Sequence, residues 1–346
     1  MSKSTPIKPK RDMYNPDLKK RFITETYKKD SIMALAKVVF KSVAKYENDW
    51  GSDFCTRNSD EIEPVLENIL GMRVSSKWII VNILKDYIEW CIKDKYNGAI
   101  DGMKDIDIDT SGYEKIKQQM VSNPIQLQKY FDEIFRPESD ETIDIIYRCY
   151  LWMAYMGIPE EDALNVKSND IDFNIMKIKY GDKDAPIYFE SLPAFRGAVA
   201  LSSFYYRHPN YESAKLNDRI TGDMILRGVE GKNRIKEDID KYNIRSVVSR
   251  KFSDKENIKK TGKKLSFYRI WISGLFYRMY EHERAGNEVD FTNTAKDDIN
   301  KPRLDQDGNP VQYKFNHSMD NERQRISRKI NDYTEDYNRW KYVFGI

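Results

Sequence analysis

Apolar residues recur at helical spacing along most of the chain. Between Trp78 and Ile92 the positions Ile80, Leu84, Tyr87 or Ile88 and Cys91 recur at helical spacing, which predicts a helix with Ser75 or Ser76 as its N-cap. A basic stretch from about Pro16 to Lys45 is patterned as a helix too. Thr142 to Met156 is apolar nearly all round, follows the cap candidates Ser139 and Asp140, and stops at Gly157. Its short length and the presence of Arg148 predict a buried core helix rather than a membrane span. Two more helices are predicted, from Leu265 to Arg284, with Phe267, Trp271, Leu275, Phe276 and Met279 at helical spacing, and from about Asn321 to Trp340. Only one stretch changes period. Met176, Ile178 and Tyr180 alternate with Lys177 and Lys179, and Ile187 and Phe189 alternate beyond Gly181-Asp182-Lys183-Asp184, which predicts a β-hairpin with Lys183 in its turn. Beyond Ser191 the pattern is mostly helical again, and Asn287 to Asn316 carries turn chemistry such as Asp307-Gly308-Asn309-Pro310.

Composition adds domain count and excludes several classes. The 346 residues fit two domains, and the Gly/Asp-rich run from Gly98 to Gly112 reads as a linker with the boundary near its end. A hydrophobic share of 40% is too high for a disordered chain. The net charge of +3 announces no partner by itself, but the charge is segregated. Residues 1–45 hold 12 Lys/Arg against 4 Asp/Glu, residues 101–144 hold 5 against 11, and residues 227–264 hold 13 against 6. Cys55, Cys91 and Cys149 are far apart and in apolar surroundings, which fits reduced, buried thiols. His208, His282 and His317 show no metal-ligand spacing, so neither a metal nor another cofactor is expected. A polar, basic start and the lack of a long apolar run predict a cytosolic protein.

Three local motifs fail on inspection. Gly228 to Lys232 echoes a phosphate loop, but Asn233 stands where the metal-binding Ser/Thr would be. Asp305 to Gly308 echoes a calcium loop with the wrong later spacing, and His282 reads as a solvated helix residue.

The informative stretch is Gly157-Ile-Pro-Glu-Glu-Asp-Ala-Leu-Asn-Val-Lys-Ser-Asn-Asp-Ile-Asp172 with the hairpin after it. It resembles the first signature of tyrosine recombinases, or phage integrases, in which a buried helix ends in Gly, an Arg follows, and Asp-Ile-Asp leads into a hairpin carrying a Lys. Leu265-Ser266-Phe267-Tyr268-Arg269 resembles the second signature, His-x-x-Arg at the start of a long apolar helix, and Tyr333 or Tyr337 falls where that family has its nucleophile. The resemblance implies phosphoryl transfer, in which a Tyr forms a covalent link to a DNA phosphate while Arg and His donors hold the developing charge. This chain departs from the pattern at the groups that matter. Pro159 stands in place of the first Arg and Ser266 in place of the first His, so only Lys183, Arg269 and Tyr337 remain as remnants. His317 is an uncertain match to the second donor. Loss of a single oxyanion donor typically costs about 10² to 10³ in rate, so no strand cleavage is expected.

At the level of whole-chain wording, Met13-Tyr-Asn-Pro-Asp-Leu-Lys-Lys-Arg-Phe22, Ile83-Leu-Lys-Asp-Tyr-Ile-Glu-Trp-Cys91 and Ser273-Gly-Leu-Phe-Tyr-Arg-Met-Tyr-Glu281 resemble the MrpR family, the master lytic-cycle repressors of SPbeta-like Bacillus prophages. The likeness runs from about Met13 to the C-terminus. It implies a mainly α fold with a small β-sheet or hairpin: a flexible extension over 1–12, a helical, SAM-like core-binding domain over 13–118, and an inactive tyrosine-recombinase-like domain over 119–346, together forming a two-domain clamp around duplex DNA. It also implies a sequence-specific repressor that maintains lysogeny at repeated operators of phage DNA, in the cytoplasm and on the nucleoid of a bacterial host. The implied partners are those operators, further copies of the chain on DNA and phage regulatory proteins, with no membrane.

Within that reading, Lys37, Lys41 and Lys45 recur every four residues and share one helix face. Phosphate contact is the functional reading of the row, and a solvated face is the plain one. Arg73, Lys77, Lys183, Arg245, Arg250, Lys264 and Arg269 are the other DNA-contact candidates. Arg269 either still holds a phosphate or anchors its helix through a salt bridge. Two further readings stay open: an active recombinase with a displaced site using Tyr337, and a protein-binding adaptor.

Overall fold

The computed structural model describes residues 12–70, 74–108, 111–135, 144–206, 215–218, 222–227, 241–300 and 319–346. These divide into two compact units, one drawn from Met1–Ile116 with Thr294–Arg339, the other from Lys117–Asn293 with Trp340–Ile346. The fold is mainly helical with small antiparallel sheets. The return of 294–339 to the first unit is a connection that a single cut near residue 118 does not contain.

The first unit opens with α1 (Pro16–Thr26) and α2 (Asp30–Trp50), so the predicted single helix from Pro16 to Lys45 is broken. The break is anchored by tertiary packing of Tyr27. Tyr27 turns extended, its ring packs edge-on against Phe22 at 5.5 Å, and its hydroxyl donates to Asp86 at 2.8 Å. Then come α3 (Ser59–Ile69), closed by a reciprocal capping box between Asn58 and Glu61, and α4 (Val74–Lys93). Helix α4 begins before Ser75 and Ser76, so these lie inside it and cannot be its caps. Phe22, Phe40 and Tyr87 meet edge-to-face at 4.9–5.9 Å and centre the core. The predicted linker is not open chain. Met103 and Ile108 are buried in this same core, and a Cβ at Gly102 would overlap the carbonyl of Arg57.

Helix α5 (Tyr113–Gln119) crosses from one unit to the other. The second unit continues with α6 (Pro124–Ile134), α7 (Asp144–Met156) and the single turn α8 (Glu160–Ala163). Helix α7 is buried on every side from Cys149 to Met156, as its unbroken apolar run predicts, and ends at Gly157 with φ +90°. Ser139 and Asp140 lie outside the described residues. Strands β1 (Ile171–Asp172), β2 (Lys177–Tyr180) and β3 (Lys183–Pro186) form an antiparallel sheet. The hairpin is real but its turn is Gly181-Asp182, because Lys183 already pairs with Tyr180. The pairing continues to Ile187, which is buried and whose amide donates to the Met176 carbonyl at 2.8 Å, and then gives way to a 3₁₀ turn that opens at exposed Phe189 and ends at buried Ser191.

After α9 (Leu192–Ala200), strands β4 (Ser203–Tyr206) and β5 (Lys215–Asp218) pair antiparallel where the sequence predicts mostly helix. Next come α10 (Lys241–Ser253), α11 (Lys255–Thr261) and α12 (Phe267–Arg284). Helix α13 (Thr292–Asn300) occupies part of the stretch predicted as turns, and Asp305 to Asn316 lies outside the described residues. Helix α14 (Met319–Phe344) extends the predicted last helix at both ends. At the centre of this unit α12 crosses α7 so closely that a Cβ on Gly274 would overlap the carbonyl oxygen of Tyr155. Among the described residues, no helix is long and apolar enough to cross a membrane.

Candidate nucleic-acid interface

Helix α2 is amphipathic in a way that sorts its charges. Ala36, Val39, Phe40, Val43 and Ala44 are buried, while Lys37, Lys41 and Lys45 all stand exposed on the far side. None of the three has an ion-pair partner among the described residues; the Lys45 ammonium lies 5.8 Å from the Tyr46 ring. A second exposed row, Ala34, Val38 and Ser42, runs beside the lysines, with Val38 exposed at 59%. Sequence reasoning missed that row, although its spacing of four was visible.

Beneath this face lies a buried polar knot. The Lys19 ammonium donates to the carbonyl of Tyr14 at 3.0 Å, to Asp53 Oδ2 at 3.3 Å and to Glu47 Oε1. Tyr87 donates to Asp53 Oδ1 at 2.8 Å, and the amide of Phe54 donates to Glu47 Oε1 at 2.9 Å. Glu47 Oε2 has no hydrogen-bond partner among the described residues. Burial, and secondarily the Asp53 charge, pushes the Glu47 carboxyl up to about 7, against the opposing pull of Lys19. The knot ties α1, α2 and α4 together and so fixes the bearing of the lysine row.

The other candidates fare unevenly. Lys77 is only 2% exposed inside the first turns of α4, so it is a buried lysine and not a surface phosphate contact. Arg73 lies outside the described residues. In the second unit, Arg245 on α10 is held by both carboxylate oxygens of buried Glu160, which also accepts from the Tyr150 hydroxyl. That guanidinium is paired with Glu160 while its side chain stays half-exposed. Arg250 and Lys264 are exposed, as are Lys255 and Lys259 one turn apart on α11, which sequence reasoning passed over. Lys251 pairs with Asp144 at 3.1 Å and Lys260 pairs with Glu133. Burial pulls the Lys263 ammonium down to about 8 while it donates to the carbonyl of Met120 at 2.8 Å. On α14, Arg323, Arg325 and Arg328 are exposed.

The recombinase-signature positions can be placed one by one. Pro159 is the exposed N-cap of α8, next to the Glu160 that binds Arg245. Ser266 caps α12, its hydroxyl accepting from the amide of Arg269 at 3.2 Å, so its oxygen is spent on the helix terminus. Arg269 is half-buried, with its guanidinium 6.0 Å from the Tyr268 ring. Lys183 is exposed at the start of β3. These four belong to the second unit, whereas Tyr333 and Tyr337 belong to the first, and both are buried, at 4% and 1% exposure. Tyr333 donates to Asp298 at 2.6 Å, and Lys329 pairs with the same carboxylate at 3.0 Å. His282 is exposed at the end of α12; His317, Gly228 to Asn233 and Asp305 to Gly308 lie outside the described residues. All three cysteines are free and buried, and no group of His, Cys, Asp or Glu among the described residues has the makings of a metal site.

Residues 13–93 match a family model described as MrpR, N-terminal core-binding domain. Among solved structures, the chain is similar to the crystal structure of XerA recombinase, at 11% identity and a TM-score of 0.31, covering 79% of this chain and 86% of that one. No curated protein matches it.

Proposed function

We propose, from the match of residues 13–93 to the MrpR N-terminal core-binding domain, that the chain is a sequence-specific double-stranded DNA-binding repressor. It holds a prophage in lysogeny by occupying repeated operators in the bacterial cytoplasm. The observation that carries this reading is the row Lys37, Lys41 and Lys45, which is exposed, has no ion-pair partner among the described residues, and lies inside the matched segment. Three ammonium groups along one helix face suit a phosphate backbone, and the adjoining Ala34, Val38 and Ser42 are small enough to let that face approach base edges. Residues 13–118 then supply the reading module, and 119–346 a recombinase-like scaffold retained without its chemistry, with Arg250, Lys264 and Arg269 adding phosphate contacts.

Loss of cleavage is part of this proposal, and the recombinase-signature positions support it. Pro159 has no donor, Ser266 is a helix cap, and the tyrosine hydroxyls at 333 and 337 sit on buried side chains. The test is a binding titration on fragments of the phage genome across a range of salt. Wild type should prefer one repeated element over scrambled DNA by at least about 10³. Converting Lys37, Lys41 and Lys45 to Ala should flatten the dependence of log affinity on log salt by about 0.9 for each phosphate no longer neutralised. Equal binding to scrambled DNA overturns the repressor reading. A covalent adduct on nicked suicide DNA would instead establish an active recombinase.

A further inference from the structure

The second unit carries a pocket of about 270 Å³ that has no part in the proposed DNA contacts. Its chemistry comes from three tyrosines, Tyr188, Tyr277 and Tyr280, two carboxylates, Glu190 and Glu281, and Arg284. Volume limits the occupant first. The cavity lies below the roughly 300–1,000 Å³ of ordinary small-molecule sites, so it suits a group of side-chain size.

Its electrostatics point to the sign of the charge. Burial, then Glu281, Tyr188 and Glu190, pushes the Tyr277 hydroxyl up to about 12 against the opposing charge of Arg284. At Tyr188 burial is opposed first by the Arg278 guanidinium, with Glu281 and Glu190 adding smaller upward pushes. The rings of Tyr188 and Tyr277 meet at 5.8 Å and 69°, and a ring face attracts cations. Arg284 already displays the matching recognition at the rim. Its guanidinium carbon lies 5.7 Å from the Tyr280 ring, and it pairs with Glu281 at 3.3 Å. Glu190 is left over, with no hydrogen-bond or ion-pair partner among the described residues.

We propose that this pocket binds a cationic group on a short aliphatic stem, a guanidinium or primary ammonium, with Glu190 as counter-ion and the Tyr188 and Tyr277 rings as walls. With Glu281 paired to Arg284, it is Glu190 that disfavours phosphates and carboxylates. The cation comes either as a free small amine or as the basic side chain of a partner protein, and the two sources share one recognition.

The experiment titrates the full chain, with labelled tyrosine rings read by NMR, against N-acetyl-arginine amide, the neutral isostere N-acetyl-citrulline amide, agmatine and the capped peptide Ala-Arg-Ala. Arginine amide should shift the pocket tyrosines saturably, and citrulline amide should bind at least tenfold more weakly. Glu190→Gln should weaken arginine amide at least fivefold while leaving DNA affinity unchanged. Tyr277→Phe, which keeps the ring, should bind as wild type does, and Tyr277→Leu should not bind. Tighter agmatine than peptide assigns a free amine, and the reverse assigns a partner protein. Equal shifts from arginine and citrulline, undiminished binding by Glu190→Gln, or no saturable shift at all would overturn the proposal.

Discussion

The fold strongly perturbs the protonation of Glu47 in a useful pH range. Its carboxyl titrates near 7 in the folded chain and near 4.5 when unfolded, so the folded state holds the proton more tightly. Its contribution to stability is therefore fully present below about pH 4.5 and is lost as pH rises through 7, a swing on the order of 3 kcal/mol. Chemical denaturation of wild type should show stability falling between pH 5 and pH 8. Glu47→Gln should remove most of that slope, and an unchanged slope would refute the assignment. Gly274 makes a different residue-scale demand, because any Cβ there overlaps the carbonyl oxygen of Tyr155. Gly274→Ala should cost at least about 2 kcal/mol, read as a lowered melting temperature. Nothing in a linear reading distinguishes Gly274 from other glycines, since the clash belongs to a chain segment more than a hundred residues away.

At the scale of elements, strongly periodic helices were legible and their junctions were not. Helices α4, α7, α12 and α14 follow from apolar spacing because each buries one continuous face or its whole surface. The break at Tyr27 escaped notice because a tertiary pairing with Phe22 and Asp86 sets it. Lys77 departs from its sequence reading because a basic residue reads as surface and only packing reveals a buried lysine, and packing likewise reveals that the half-exposed Arg245 has a partner in Glu160. Strands β4 and β5 lie in a stretch whose pattern did not alternate cleanly. Ser266 is the element-scale test. As a cap whose hydroxyl accepts from the Arg269 amide, Ser266→Ala should destabilise the second unit by about 1 kcal/mol. Ser266→Asp, which caps equally well, should restore the melting temperature; failure to do so would argue against a capping role.

For the molecule as a whole, the two units share their boundaries with a chain that leaves the first and comes back to it. Thr294–Arg339 belongs with the N-terminal half, so the first unit is complete only near the end of the polypeptide. A fragment ending at residue 264 would lack α12 and the returning segment. It should give a broad, non-cooperative thermal transition and bind a hydrophobic dye; a sharp melt like that of the full chain would show that these segments are dispensable.

The close approach of Gly274 to Tyr155 also bears on how the protein is made. Helix α7 is apolar on all sides and leaves the ribosome well before α12, the helix whose backbone it must meet. During that interval the side of α7 that meets α12 has no permanent cover, and closing so long a loop is slow. At synthesis rates of about 5–20 residues per second the exposure lasts several seconds. Newly made chains are thus most vulnerable to aggregation and chaperone capture in the window between the two helices, and a ribosomal pause placed there would lower the yield of folded protein without altering a single residue.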